Sequence, residues 1–172
     1  MNKIEKLLAD GDLRSAGNSE KVVAMVLREP ALFADAVNAI LVESPAAKMR
    51  ACDAVEKITR VHPEWLSPYK KLLLSKISRI DQKEVRWHLA QILPRLKLTS
   101  KERETVYHLM LGYLDDKSRI VTTFAMQALA DLAGQDSRYR SSVKKIVTQA
   151  IESGPPSMQS RGRKLLASLD TS

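Results

Sequence analysis

The reactive side chains of this chain are few: His62, His88, His108, the single Cys52 and a scatter of carboxylates. Metal binding by histidine and cysteine needs ligands at turn or helix spacing, and no two of these four stand at such spacing. No His-Glu-x-x-His, glycine-rich phosphate loop or Gly-x-Ser-x-Gly elbow occurs. The residues therefore point to no catalytic set, no metal and no cofactor, and no enzyme is expected. Cys52 lies among small residues and reads as an inert buried thiol. It has no second cysteine to pair with, which fits a reducing compartment. The chemistry left is that of binding, through Lys, Arg and two tryptophans, Trp65 and Trp87.

Helices must position these groups. Phe33, Ala36, Val37, Ile40 and Leu41 recur with the period of one helix face, as do Val143, Ile146, Val147, Ala150 and Ile151. Tyr69, Leu72, Leu73, Ile77 and Ile80 form a third stripe, and Val106, Leu109, Met110, Tyr113 and Leu114 a fourth. No segment alternates with period two. The punctuation agrees. Ser19, Asp81, Asp116 and Asp136 stand at helix-start positions, and Thr99 with Glu102 spells a capping box. Pro30 and Ser44-Pro45 suit first turns. Pro94 inside a helical pattern shortens or kinks its helix. About ten helices result: 2–9, 19–28, 31–43, 46–60, 64–79, 82–96, 100–114, 117–133, 137–153 and 156–169. Short connections make sequential helices antiparallel neighbours.

The 172 residues are 44% hydrophobic and 28% charged, which excludes a disordered or collagen-like chain. No stretch approaches a membrane span, and no apolar run follows the first residues, so neither a membrane partner nor a secretory leader is expected. A cytoplasmic location follows as the expectation. The net charge of +8 is uneven. Residues 1–43 hold five Lys/Arg and seven Asp/Glu, whereas residues 44–172 hold 23 and 13. The basic excess suits an acidic partner, protein or nucleic acid.

Four helices align by their starts. Each opens on a cap or breaker, continues with Ala47-Lys48, Val85-Arg86, Val121-Thr122 or Met158-Gln159, and carries an apolar pair further on: Ala54-Val55, Ile92-Leu93, Ala128-Leu129 or Leu165-Leu166. His88 shares its slot with Arg50 and Phe124 and reads as a semi-buried structural residue. The unit is a helical hairpin, which cannot bury its apolar face alone and so stacks on its neighbours. On these residues, over roughly 44–169, the chain resembles the HEAT-repeat, armadillo-like family. The third and fourth units depart from it, with Thr122 and Gln159 in place of the family's Arg.

The resemblance implies an all-α, right-handed α-solenoid of antiparallel hairpins. It implies one helical-repeat domain over 1–172, with 1–43 as acidic capping helices and 44–172 as basic repeats. Lys48 and Arg86 are then inter-repeat contacts, and the second helix of each hairpin lines the inner surface. With Val85, Leu89, Ile92 and Leu96 turned to the core, Lys83, Trp87 and Gln91 face outward. Arg119, Thr123 and Gln127 are their equivalents in the next unit, and Ser160 and Lys164, with Arg161 and Arg163 nearby, in the last. The function expected is a protein–protein scaffold holding an acidic or helical partner through Lys83, Trp87, Gln91, Arg119, Arg161, Arg163 and Lys164. The alternatives are backbone binding to nucleic acid and, more remotely, a DNA alkylation-repair glycosylase, whose catalytic constellation does not map onto these residues. The oligomeric state and the partner's identity are not encoded in any motif.

Overall fold

A computed structural model describes residues 2–9 and 17–171. Among the described residues there are ten α-helices, joined by short 3-10 segments, and no strand. The chain divides into two compact units, residues 1–96 and 97–172.

The first unit holds α1 (Lys3–Ala9), α2 (Ser19–Arg28), α3 (Phe33–Asn38), α4 (Pro45–Val61), α5 (Lys70–Ser75) and α6 (Lys83–Ile92). α4 is its centre and packs on α1, α2, α3 and α6. Ser44 caps α4, its hydroxyl accepting from the Ala47 amide at 3.3 Å, and Pro45 occupies the first turn. Ala47, Ala51, Ala54, Val55 and Ile58 bury one face of the helix. α6 turns Val85, Leu89 and Ile92 inward, as the period requires. Its α-helical hydrogen bonding ends where Pro94 removes an N–H, and the chain continues as a 3-10 turn over Leu93–Arg95 with Leu93 fully buried. The segment expected as one helix over 64–79 is instead a 3-10 stretch Pro63–Tyr69, then α5, then a 3-10 turn Ile77–Arg79. Pro68 lies inside the first of these and blocks regular α-helical bonding there. Residues 31–43 are likewise divided, with α3 flanked by 3-10 turns at Pro30–Leu32 and Ala39–Leu41.

Gly17 adopts φ +52, and a Cβ there would meet Arg50 Nε at 2.6 Å. Only glycine allows both the backbone turn and the close passage. Arg50 is fully buried beneath it and donates from Nη1 to the Leu8 carbonyl at 2.8 Å, joining α4 to α1.

The second unit holds α7 (Ser100–Tyr113), α8 (Arg119–Gln135), α9 (Arg140–Ser153) and α10 (Pro156–Thr171). α8 packs on α7, α9 on α8, and α10 on both α9 and α8. α7 starts with the expected capping box: the Thr99 hydroxyl accepts from the Glu102 amide, and the Glu102 carboxylate accepts from the Thr99 amide at 2.7 Å. α8 is buried along most of its length, through Val121, Ala125, Met126, Ala128, Leu129, Leu132 and Ala133. Gly162 lets α10 approach α9 closely, since a Cβ would stand 2.9 Å from Ile151 Cγ1. Leu165 and Leu169 of α10 are buried within the unit.

Candidate protein-interaction surface

Polar side chains join the helices at a nearly constant register. In the first unit, Gln82 before α6 donates to the Pro45 carbonyl at the head of α4 (2.9 Å). Further along, His88 Nε2 lies 3.6 Å from Asp53 Oδ1. At the far end, Arg95 donates to the Glu56 carbonyl (2.7 Å) and to its carboxylate (2.5 Å). The bridges run head to head and tail to tail, so α4 and α6 lie parallel. In the second unit, Thr123 reaches Ser157 (3.4 Å) and Arg161 donates to Gln127 Oε1 (2.8 Å), a constant offset of 34 that makes α8 and α10 parallel too.

Asp53 is the hub of the first unit. It accepts from the Ser19 hydroxyl of α2 (2.5 Å) and from Lys57 (2.8 Å), and Lys57 also pairs with Glu20. Ser19 is thus a buried partner of Asp53; the N-cap position of α2 belongs to Asn18, whose amide donates to the Leu7 carbonyl. Burial alone would raise the Asp53 carboxyl, but the His88 ring, Lys57 and the Ser19 hydroxyl hold it well below the usual carboxylate range. Glu56 follows the same logic: burial raises it, and hydrogen bonds and charge from Arg60 and Arg95 outweigh that and lower it. His88 is nearly buried, with Nδ1 2.6 Å from the Glu84 carbonyl oxygen and Nε2 3.2 Å from Trp87 Nε1. Burial, with the Asp53 charge beside it, pushes the Cys52 thiol far up, away from nucleophilic thiolate chemistry.

The residues singled out for partner binding fall as follows. Lys83 is exposed, with Glu84 at 3.9 Å. Trp87 is half-buried and turned to His88, and Gln91 is half-buried with its amide donating to the Trp87 carbonyl. Arg119 is exposed and makes no ion pair among the described residues. Arg163 and Lys164 are exposed on α10, Arg163 touching Gln159 (3.4 Å). Arg161 is half-buried, held by Gln127 and lying over the Phe124 ring at 5.7 Å. Thr123, expected outward, is buried because α10 covers that side of α8, and its hydroxyl donates to the Arg119 carbonyl (2.7 Å). Arg86 pairs with Asp81 (2.6 Å), while Lys48 is half-buried on α4.

Among the described residues, no group of three His, Cys, Asp or Glu is placed to hold a metal ion, and no helix is long and apolar enough to cross a membrane. Trp65 stacks on His62 at 4.4 Å and meets Phe33 edge-on at 5.5 Å, so its ring is engaged within the first unit. One surface feature escaped the residue-by-residue reading. A cleft of about 520 Å³ lies between the heads of α8 and α10, lined by Arg119, Ile120, Phe124, Pro156, Ser157 and Arg161 among others. Arg119 and Arg161 were legible as candidates; the exposed Ile120 beside them is a break in the polar pattern of the first turn. No protein-family model, no curated protein and no solved structure matches this chain.

Proposed function

We propose that the chain is a non-catalytic interaction scaffold, built of HEAT-like stacked hairpins, that holds an acidic or helical protein partner. The observation that supports this most is how the charge is used. Asp53, Glu56 and Asp136 are spent on internal pairs with Lys57, Arg60, Arg95, Arg103 and Arg138. Lys83, Arg119, Arg163 and Lys164 remain on the surface, where they add a positive field that attracts an acidic partner. Parallel stacking of α4 with α6, and of α8 with α10, supports the HEAT-like reading within each unit.

Nucleic-acid backbone binding draws on the same surplus charge. Basic residues are also exposed elsewhere, at Lys71, Lys76, Lys101 and Lys145, which favours diffuse attraction over a defined groove. Trp87, the natural stacking residue, is turned to His88.

Charge reversal tests the scaffold reading. The triple variant Lys83→Glu, Arg119→Glu, Lys164→Glu should keep its far-UV helicity and lose about tenfold or more in affinity for a glutamate-rich amphipathic helical peptide, read by fluorescence anisotropy. Unchanged affinity would remove these residues from the binding surface.

A further inference from the structure

The cleft between the heads of α8 and α10 combines two properties. Its floor is apolar: Phe124, Pro156 and Ile120 line it, and Ile120 is 41% exposed, one of four large hydrophobic residues so placed among the described residues. Its rim is cationic and not neutralised by carboxylates. Among the described residues Arg119 makes no ion pair, and Arg161 is satisfied by an amide oxygen and an aromatic face. The Asp116 carboxylate, close in sequence, accepts from the Ser118 amide at 2.8 Å, fixing the turn that leads into α8. Burying an exposed isoleucine is favourable by roughly 25 cal/mol per Å² of area removed from water, and two guanidinium groups supply fork-shaped donors for carboxylates.

We infer that this cleft docks a segment of a protein partner in which one aliphatic or aromatic side chain is followed by carboxylates. The apolar side chain sits against Ile120, Phe124 and Pro156, and the carboxylates meet Arg119 and Arg161. The volume, about 520 Å³, suits one such side chain with its neighbours, within the usual ~300–1,000 Å³ of ligand sites. A nucleic acid fits this chemistry less well, because Arg161 already covers a face of Phe124 and the floor offers aliphatic surface where a phosphate backbone has none. The inference rests on the scaffold reading and names the place and the chemistry of one contact.

The test uses the full chain and a fluorescein-labelled peptide carrying one leucine followed by three glutamates, with binding read by anisotropy. Arg119→Glu, at an exposed position, and Arg161→Gln, which removes the guanidinium and leaves a polar side chain, should each weaken binding by about tenfold. Lys145→Glu, exposed on α9 and outside the cleft, should change it less than about threefold. Replacing the peptide's leucine by serine should cost about tenfold as well, since the apolar contact is lost. Circular dichroism of each variant shows that the helices persist. Peptide binding that both arginine variants leave intact, while the triple reversal abolishes it, overturns the cleft and leaves the scaffold reading standing. Equal binding of the serine peptide reduces the site to simple charge attraction and overturns the docking inference. Failure of the wild-type chain to bind any acidic peptide, with tight binding of duplex DNA, overturns the scaffold reading itself.

Discussion

Asp53 is a residue whose type alone says little and whose position says much. It lies on α4 and accepts hydrogen bonds from Ser19 of α2 and from Lys57, with His88 of α6 beside it, so one carboxylate ties three helices. Its lowered pKa, with that of Glu56, makes stability depend on pH with a definite sign. The folded state binds these protons more weakly than the unfolded chain, where carboxyls titrate near ~4. The stabilisation is therefore fully present above that value and is lost as pH falls through the lower folded values. Asp53→Asn should lower stability at neutral pH by about 1–3 kcal/mol and flatten the fall of Tm between roughly pH 4 and 2. An unaltered Tm–pH curve would mean that the network contributes nothing to folding. Sequence reading missed Asp53 because a single carboxylate among many carries no motif. A signal did exist: complementary polar residues stand about one hairpin apart, 39 residues for Glu56 and Arg95 and 34 for Gln127 and Arg161.

At the scale of elements, period and punctuation served in part, since the N-cap positions of α6 and α8 belong to Gln82 and Ser118 and not to Asp81 and Asp116. Thr99 and Glu102 form the capping box that their spacing spells, and Pro94 ends the α-helical run of α6 where its missing N–H requires. The subdivision of 64–79 was not visible in the hydrophobic stripe, because Tyr69, Leu72, Leu73 and Ile77 keep a buried side whether the backbone winds as 3-10 or α. Thr123 shows the other limit: a short polar side chain on an outward position is buried once a neighbouring helix reaches it. Leu93 lies at the junction where α6 tightens, with its side chain fully buried. Leu93→Ala should destabilise the fold by about 2–5 kcal/mol in chemical denaturation. A loss well under ~1 kcal/mol would mean that the neighbours close over the site and that the junction is not a packing centre.

For the molecule as a whole, the all-helical class and the ten helices among the described residues were legible from periodicity, since amphipathic stripes are strong local signals. The charge surplus was legible too, but not its use. Which carboxylates are consumed internally depends on helix stacking, as the internal pairs of Glu56 and Asp136 illustrate. The cleft between α8 and α10 could not be read from either helix alone, because Arg119, Ile120 and Phe124 of α8 share one cleft with Pro156 and Arg161 only when α10 packs on α8. The proposed scaffold function assigns the surplus positive charge to an acidic protein partner. Anisotropy titrations of the full chain, at ~50 and ~200 mM salt, with a glutamate-rich helical peptide and with duplex DNA, test it most directly. Peptide binding should persist at the higher salt through its apolar contact, and DNA binding should fade by orders of magnitude over the same interval. Micromolar or tighter DNA binding at ~200 mM salt, with no peptide binding, would contradict it.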